Sequence, residues 1–207
     1  MSYEQERTEL VDRLAARESL GNQTVAAMRA VPRHAFVPPY KRDSAYRDTP
    51  LPIGQGQTIS APHMVAIMTD LLALSSGDKV LEIGTGCGYH AAVTAEVVGA
   101  ANVYSVEYVE ELGKQARETL DATGYGDISI RVGDGREGWP EKAPFDRAYL
   151  TCAAPAFPAA VVKQVRSGGI LLGPIEDRRQ RLIRATVGES GITDQESHGP
   201  VRFVPLQ

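Results

Sequence analysis

The chain of 207 residues is 43% hydrophobic and 23% charged, the balance of a folded globular domain rather than of a disordered or fibrous chain. Its formal net charge of −4 gives no basic footprint for a nucleic acid, and no apolar run reaches the roughly 18 residues a membrane-spanning helix needs. The charged opening MSYEQERTELVDR does not have the form of a secretory signal, and the two cysteines, Cys87 and Cys152, stand in no metal-ligand or disulfide-framework spacing, so a reduced, cytoplasmic setting without a metal is expected.

Ser2, with Gln5 three positions on, forms a capping box for a first helix whose apolar face is Leu10, Val11 and Leu14. A second short helix is expected from Thr24 to Val31, stopped by Pro32. Residues 32–58 are rich in Pro, Gly and Tyr with little periodicity. They are expected to form an irregular wrapping segment, of a length at which connections tend to bind something. From Ser60 the pattern turns helical, with Met64, Ile67, Met68, Leu71 and Leu72 on one face.

Strands and helices then alternate. Strands are expected at 79–83, 102–106, 128–132, 145–150 and 170–175, and helices at 89–98, 109–122 and 157–165. This order predicts a doubly wound α/β fold, an open parallel sheet with helices on both faces. Two more strands, 181–187 and 201–206, joined by the polar turn GESGITDQESHGP, are expected to close the sheet edge as an antiparallel pair. The chain reads as a single domain: an N-terminal extension over 1–58, an α/β core over 59–175 and C-terminal strands over 176–207.

The strongest chemical signal is Glu82-Ile83-Gly84-Thr85-Gly86-Cys87-Gly88, which follows an apolar strand and opens a helix. Its glycines allow a tight turn and close approach of backbone to ligand. The spacing is GxGxG, with Tyr89 where a dinucleotide fingerprint has its third glycine. An acid before the first glycine suits a cationic, amino-acid-bearing ligand better than a diphosphate. S-adenosylmethionine, with its ammonium and sulfonium, fits. Glu107 ends the next strand, where a carboxylate can accept from both ribose hydroxyls. Asp134 lies in VGDG after the third strand, where an adenine would rest. Taken singly, Glu107 reads better as a helix-start acid, and Asp134 also reads as a turn residue. Together they mark one edge of the sheet. Ser60 has two readings as well, a cleft hydroxyl or an N-cap for the helix behind it. No G-x-S-x-G elbow makes it a hydrolase nucleophile, and Cys87 reads as packing within the glycine turn.

The stretches VPRHAFVP, PLPIGQGQTISAPHMVAIM, VLEIGTGCGYHAA, FDRAYLTCAAP and GPVRFVPL resemble the protein-L-isoaspartate O-methyltransferase family, over nearly the whole chain from about residue 9 onward. The resemblance implies a Rossmann-like, S-adenosylmethionine-dependent enzyme. Its sheet would be seven-stranded and mostly parallel, with an antiparallel C-terminal strand and an N-terminal helical extension. The implied activity is methylation of the free α-carboxylate of L-isoaspartyl residues in damaged proteins, whose ester then collapses to a succinimide and is partly repaired. Carried over by motif, Ser60 matches the active-site hydroxyl. Glu82, Gly84, Thr85, Gly86, Gly88, Glu107, Asp134 and Gly135 match the cofactor positions. Ile59, His63 and Thr151 match the substrate cleft, as does Val204 in VRFVPL. The resemblance implies protein and peptide substrates and a cytoplasmic monomer, with neither nucleic acid nor membrane as partner. The chain departs from the family pattern at Cys87 and Cys152, and in GPIEDRRQRL, which is more charged than usual and bears on the C-terminal lid. A methyltransferase acting on RNA or a small molecule is the alternative; it would more often carry an NPPY-type motif or a basic groove, and neither is visible.

Overall fold

In the computed structural model, which describes residues 2–207, the Ser2 hydroxyl accepts from the Gln5 amide at 3.3 Å and the Gln5 side chain accepts from the Ser2 amide at 2.9 Å. This capping box starts α1 (Tyr3–Glu18), which buries Leu10, Val11 and Leu14. α2 (Asn22–Ala30) follows and buries Thr24, Ala27 and Met28.

The wrapping segment has more structure than its composition suggests. It makes two short 3₁₀ helices, Arg33–Phe36 and Pro39–Ser44, and then a hairpin of β1 (Leu51–Gly54) and β2 (Gln57–Ile59). The turn runs Gly54-Gln55-Gly56 with φ of 100°, 52° and 71°, a left-handed path that two glycines make accessible. Strands this short carry too few residues to display an alternation. α3 (Pro62–Leu71) begins directly behind the hairpin.

The main sheet contains β3 (Val80–Ile83), β4 (Val103–Glu107), β5 (Ser129–Val132), β6 (Phe145–Leu150), β7 (Val165–Glu176), β8 (Gln180–Gly188) and β9 (Gly191–Pro200), in the order β5-β4-β3-β6-β7-β8-β9. The first five are parallel, and β8 and β9 add in antiparallel fashion. Every residue of β3 is buried, as a central parallel strand covered on both faces requires.

Alternation divides the core. Val80, Val103, Tyr149 and Leu172 face α1, α2, α3, α4 (Tyr89–Val98) and α5 (Glu110–Thr123). Leu81, Ile83, Val106 and Leu150 face the other way, toward Phe157 and Val161 of the segment that includes α6 (Ala159–Gln164). The second face is the thinner: α6, the 3₁₀ turns Gly135–Glu137 and Pro140–Lys142, and the C-terminal residues Val204 and Leu206 cover it. Among the described residues no helix is long and apolar enough to cross a membrane.

The C-terminal pairing differs from expectation. The last strand is Gly191–Pro200, inside the stretch read as a polar turn, and residues 201–206 are no strand beyond a single bridge between Pro205 and Ala153. β9 is an edge strand exposed along most of its length, so its residues are polar without alternation. The apolar residues Val204 and Leu206 instead cross over the ends of the parallel strands.

Candidate active site

The parallel strands end at an open cleft. One wall is β2 and Ser60, the floor is the Gly84–Cys87 turn, another wall is Glu107–Val109, and the residues 204–207 form a roof. This is the carboxyl edge of the sheet, where ligands bind in folds of this class.

The floor and the turn into α4 depend on their glycines, of which Gly88 lies outside the cleft lining, against Leu120. Gly84, Gly86 and Gly88 have φ of 98°, 55° and 85°. A β-carbon on Gly84 would fall within the van der Waals envelope of the Thr151 hydroxyl, which donates to the Gly84 carbonyl at 2.6 Å. Gly135 also lines the cleft, and a β-carbon there would collide with Ile83. Thr85, Ile59, Ser60, Thr151 and Val204 all reach the cleft as well.

Glu107 is nearly buried, and its two oxygens are fixed by separate main-chain amides. Oε2 accepts from Gly86 at 2.7 Å and Oε1 from Val109 at 2.9 Å. A carboxylate has about four lone-pair positions, so two remain for hydroxyl donors in the cleft. Exposed Tyr108 stands beside it at the rim, a group the sequence reading did not single out.

Glu82 does not line the cleft. It shares the parity of Val80, so its side chain enters the helix-covered face of the sheet and is fully buried. Its register partners on both neighbouring strands are polar: Ser105 on β4, with Oγ 2.5 Å from Oε2, and Tyr149 on β6, whose hydroxyl donates to Oε1 at 2.9 Å. Both hydroxyls donate to the carboxyl, yet burial outweighs them and pushes it up to about 8. Ser105 in turn lies 2.6 Å from the hydroxyl of Thr85, a residue of the cleft lining. Glu82 therefore reaches the cleft only through two hydroxyls.

Asp134 is also placed differently from the sequence expectation. Arg136 grips both of its oxygens, at 2.7 Å from Nη2 and 2.9 Å from Nε, and holds the carboxyl below its usual range. The carboxylate caps the 3₁₀ turn that presents Gly135, while Asp134 itself stays outside the cleft lining. His63 likewise stays outside it. Its main-chain amide and Nδ1 both meet Asp48 Oδ1, at 2.9 and 2.8 Å, and Arg17 donates to Oδ2 at 2.8 Å, which ties the start of α3 to α1. His90 lines the cleft yet is buried, with Nε2 3.2 Å from Thr69 Oγ1, and burial pushes it down to about 3, so it is neutral.

Ser60 is no helix cap. α3 has Pro62 as its first residue and Ala61 as its N-cap, with no side-chain capping bond. Among the described residues nothing hydrogen-bonds the Ser60 hydroxyl, neither a histidine nor a carboxylate, so it is a free donor rather than an activated nucleophile. Its carbonyl accepts from Arg33 Nη2 at 2.8 Å. Sequence reasoning passed over Arg33. The available signal was a charge set inside the apolar, proline-flanked run VPRHAFVP.

The model of the family "Protein-L-isoaspartate(D-aspartate) O-methyltransferase (PCMT)" matches residues 5–207. An Archaeoglobus fulgidus protein-L-isoaspartate O-methyltransferase 2 is 50% identical over all of this chain and 95% of its own length. The Ignicoccus hospitalis enzyme of the same name is 48% identical over 98% of both chains. A solved protein-L-isoaspartate O-methyltransferase superposes with a TM-score of 0.88 at 28% identity, covering 96% of this chain and 65% of that longer one. A Plasmodium falciparum structure bearing the beta-aspartate methyltransferase name, in complex with S-adenosyl-L-homocysteine, superposes at 0.84 with 25% identity over 97% of this chain and 98% of its own. The chain thus belongs to the protein-L-isoaspartate(D-aspartate) O-methyltransferase family.

Proposed function

We propose that Ser60 is the group that receives the acceptor, the free α-carboxylate of an L-isoaspartyl residue in a damaged protein or peptide, and holds it toward the cofactor side of the cleft. S-adenosylmethionine, when bound, supplies a methyl group on a sulfonium. The observation that carries this reading is the Ser60 hydroxyl, which lines the cleft, caps no helix and has no partner among the described residues.

An α-carboxyl with a pKa of about 3.5 is already ionised at neutral pH, so the chain needs no general base. Its task is to position the anion and to thin the water around it. A neutral hydroxyl does the first with one hydrogen bond, without quenching the oxygen as a contacting cation would. Ile59 and Val204, apolar residues of the same cleft, serve the second. Opposite charges merge in the transition state, and a drier wall favours that.

The cofactor side fits its expected occupant. Gly84, Gly86 and Gly135 leave room for close approach, and Gly88 turns the chain into α4. Glu107 has lone pairs left for ribose hydroxyls. Thr151 fixes the Gly84 carbonyl, and Thr85 brings one end of the Glu82 relay to the surface of the cleft. Asp134 and His63 act at one remove, by shaping the Gly135 turn and the start of α3. The setting proposed is a cytoplasmic monomer acting on proteins, with neither nucleic acid nor membrane as partner, in keeping with the net charge of −4 and two unpaired cysteines.

The test is Ser60→Ala. Its affinity for S-adenosylmethionine, by calorimetry, should stay within about twofold, while kcat/KM for an isoaspartyl peptide falls roughly 10- to 100-fold, the loss of one hydrogen bond to a charged group. Unchanged turnover would remove Ser60 from the reaction. Equal methylation of the isoaspartyl peptide and its aspartyl twin would overturn the substrate reading.

A further inference from the structure

Arg33 is the largest side chain in the structure with no solvent exposure. Burying a guanidinium is costly, and proteins usually offset the cost with a carboxylate. Among the described residues no carboxylate lies within ion-pair distance of Arg33, and Asp48, itself bonded to Arg17 and His63, acts on it only through space. Nε donates to the Ala45 carbonyl at 2.9 Å and Nη2 to the Ser60 carbonyl at 2.8 Å, while Cζ stands 4.9 Å from the centre of the Tyr89 ring. Nη1 is buried with no partner. A methionine could fill this volume without the desolvation cost, so packing alone does not account for an arginine.

The three contacts come from three parts of the molecule. Ala45 belongs to the wrapping segment, Ser60 to the acceptor wall, and Tyr89 is the first residue of α4, directly after the glycine turn. Only a planar, many-donor cation can reach two carbonyls and lie over a ring at once.

We propose that Arg33 is a positioning residue for methyl transfer: it fixes the Ser60 main chain against the start of α4, and so sets the separation between the acceptor hydroxyl and the cofactor turn. The proposal rests on the role assigned to Ser60 above. Ser60 follows a short hairpin and precedes a helix that its side chain does not cap, so the Arg33 bond is the one hydrogen bond that ties its carbonyl to the body of the protein. An acceptor held to a loosened Ser60 would still bind but would reach the reactive geometry less often, and small misplacements of this kind are expensive in rate.

The experiment is a double-mutant cycle on the full chain. Arg33→Met, Ser60→Ala and the double variant are compared by calorimetric S-adenosylmethionine affinity and by kcat and KM on an isoaspartyl peptide. Arg33→Met should keep cofactor affinity within about threefold and lower kcat/KM about 10- to 100-fold, chiefly in kcat. In the Ser60→Ala background the further loss should shrink to about twofold or less, because Arg33 acts through Ser60. Arg33→Lys should recover only part of the rate, since an ammonium cannot span both carbonyls. If Ser60→Ala is silent, the Ser60 reading fails. If Ser60→Ala is impaired but the Arg33→Met loss is undiminished in the double variant, the Arg33 proposal alone fails. Should Arg33→Met not fold, replacing the peptide bond after Ser60 by an ester weakens the same carbonyl acceptor with Arg33 intact. A severalfold fall in kcat supports the proposal, and an unchanged kcat overturns it.

Discussion

The Thr151 hydroxyl donates to the Gly84 carbonyl at 2.6 Å and occupies the space a β-carbon on Gly84 would need. With φ at 98°, Gly84 also sits where L side chains are strained. Gly84→Ala should therefore cost about 2–4 kcal/mol of stability and weaken S-adenosylmethionine at least about tenfold. Urea unfolding and calorimetry measure the two. An alanine variant that binds normally would mean the turn is more adaptable than its geometry indicates.

Glu107 accepts one amide on each oxygen. In Glu107→Gln one of those amides must face an NH₂ group instead, so the variant should lose about 1–3 kcal/mol of stability. Cofactor affinity should fall about 10- to 100-fold. Glu107→Ala should be worse on both measures. Affinity within a factor of two of wild type in either would exclude Glu107 from the ribose.

Two buried groups set opposite sides of the pH–stability profile. Glu82 ionises near 4.5 when unfolded and at about 8 when folded, so its contribution is lost as pH rises from 4.5 through 8. His90 protonates near 6.5 unfolded and at about 3 folded, so stability is lost as pH falls from 6.5 through 3. Their combined optimum lies between 4.5 and 6.5. Glu82→Gln keeps an acceptor for Tyr149 and places an NH₂ group, which the Ser105 hydroxyl can accept by turning, at the other position. It should flatten the alkaline side and gain about 2–4 kcal/mol over wild type at pH 8. Parallel wild-type and variant profiles between pH 5 and 8 would show that Glu82 is ionised in the native protein.

Leu206 lines the roof of the cleft and would lie 3.5 Å from a β-carbon on Gly135. It is only partly buried, so Leu206→Ala should change the melting temperature little while opening the cleft to water. A loss of about 1 kcal/mol of binding, roughly fivefold in S-adenosylmethionine affinity, is expected. A large drop in melting temperature with unchanged affinity would make this residue core rather than roof.

The parallel core was legible because buried strands such as Val80–Ile83 are apolar and the helices between them have clear faces. β9 was not, because an exposed edge strand carries polar residues on both faces and looks like a loop. Two placements had signals in plain view. Glu82 has the parity of Val80, not of Ile83, which directs it beneath the cleft rather than into it. Pro62 marks a first helical position, which makes Ala61 the cap and leaves Ser60 free. Asp134 was hidden by Arg136, two residues on, because no sequence pattern says which of two ligands a carboxylate will choose. The Arg33 contacts join residues far apart in the chain and needed the fold to appear.

The sheet ends in two unlike borders. On one side is β5, four residues long; on the other is β9, ten residues long, with Thr193, Asp194, Gln195, Glu196 and Ser197 turned to solvent. A stray extended peptide seeking main-chain partners would find the first too brief to hold it and the second ringed by acids, amide and hydroxyls. An enzyme whose substrates are damaged proteins thereby offers them few main-chain pairing partners at the borders of its own sheet.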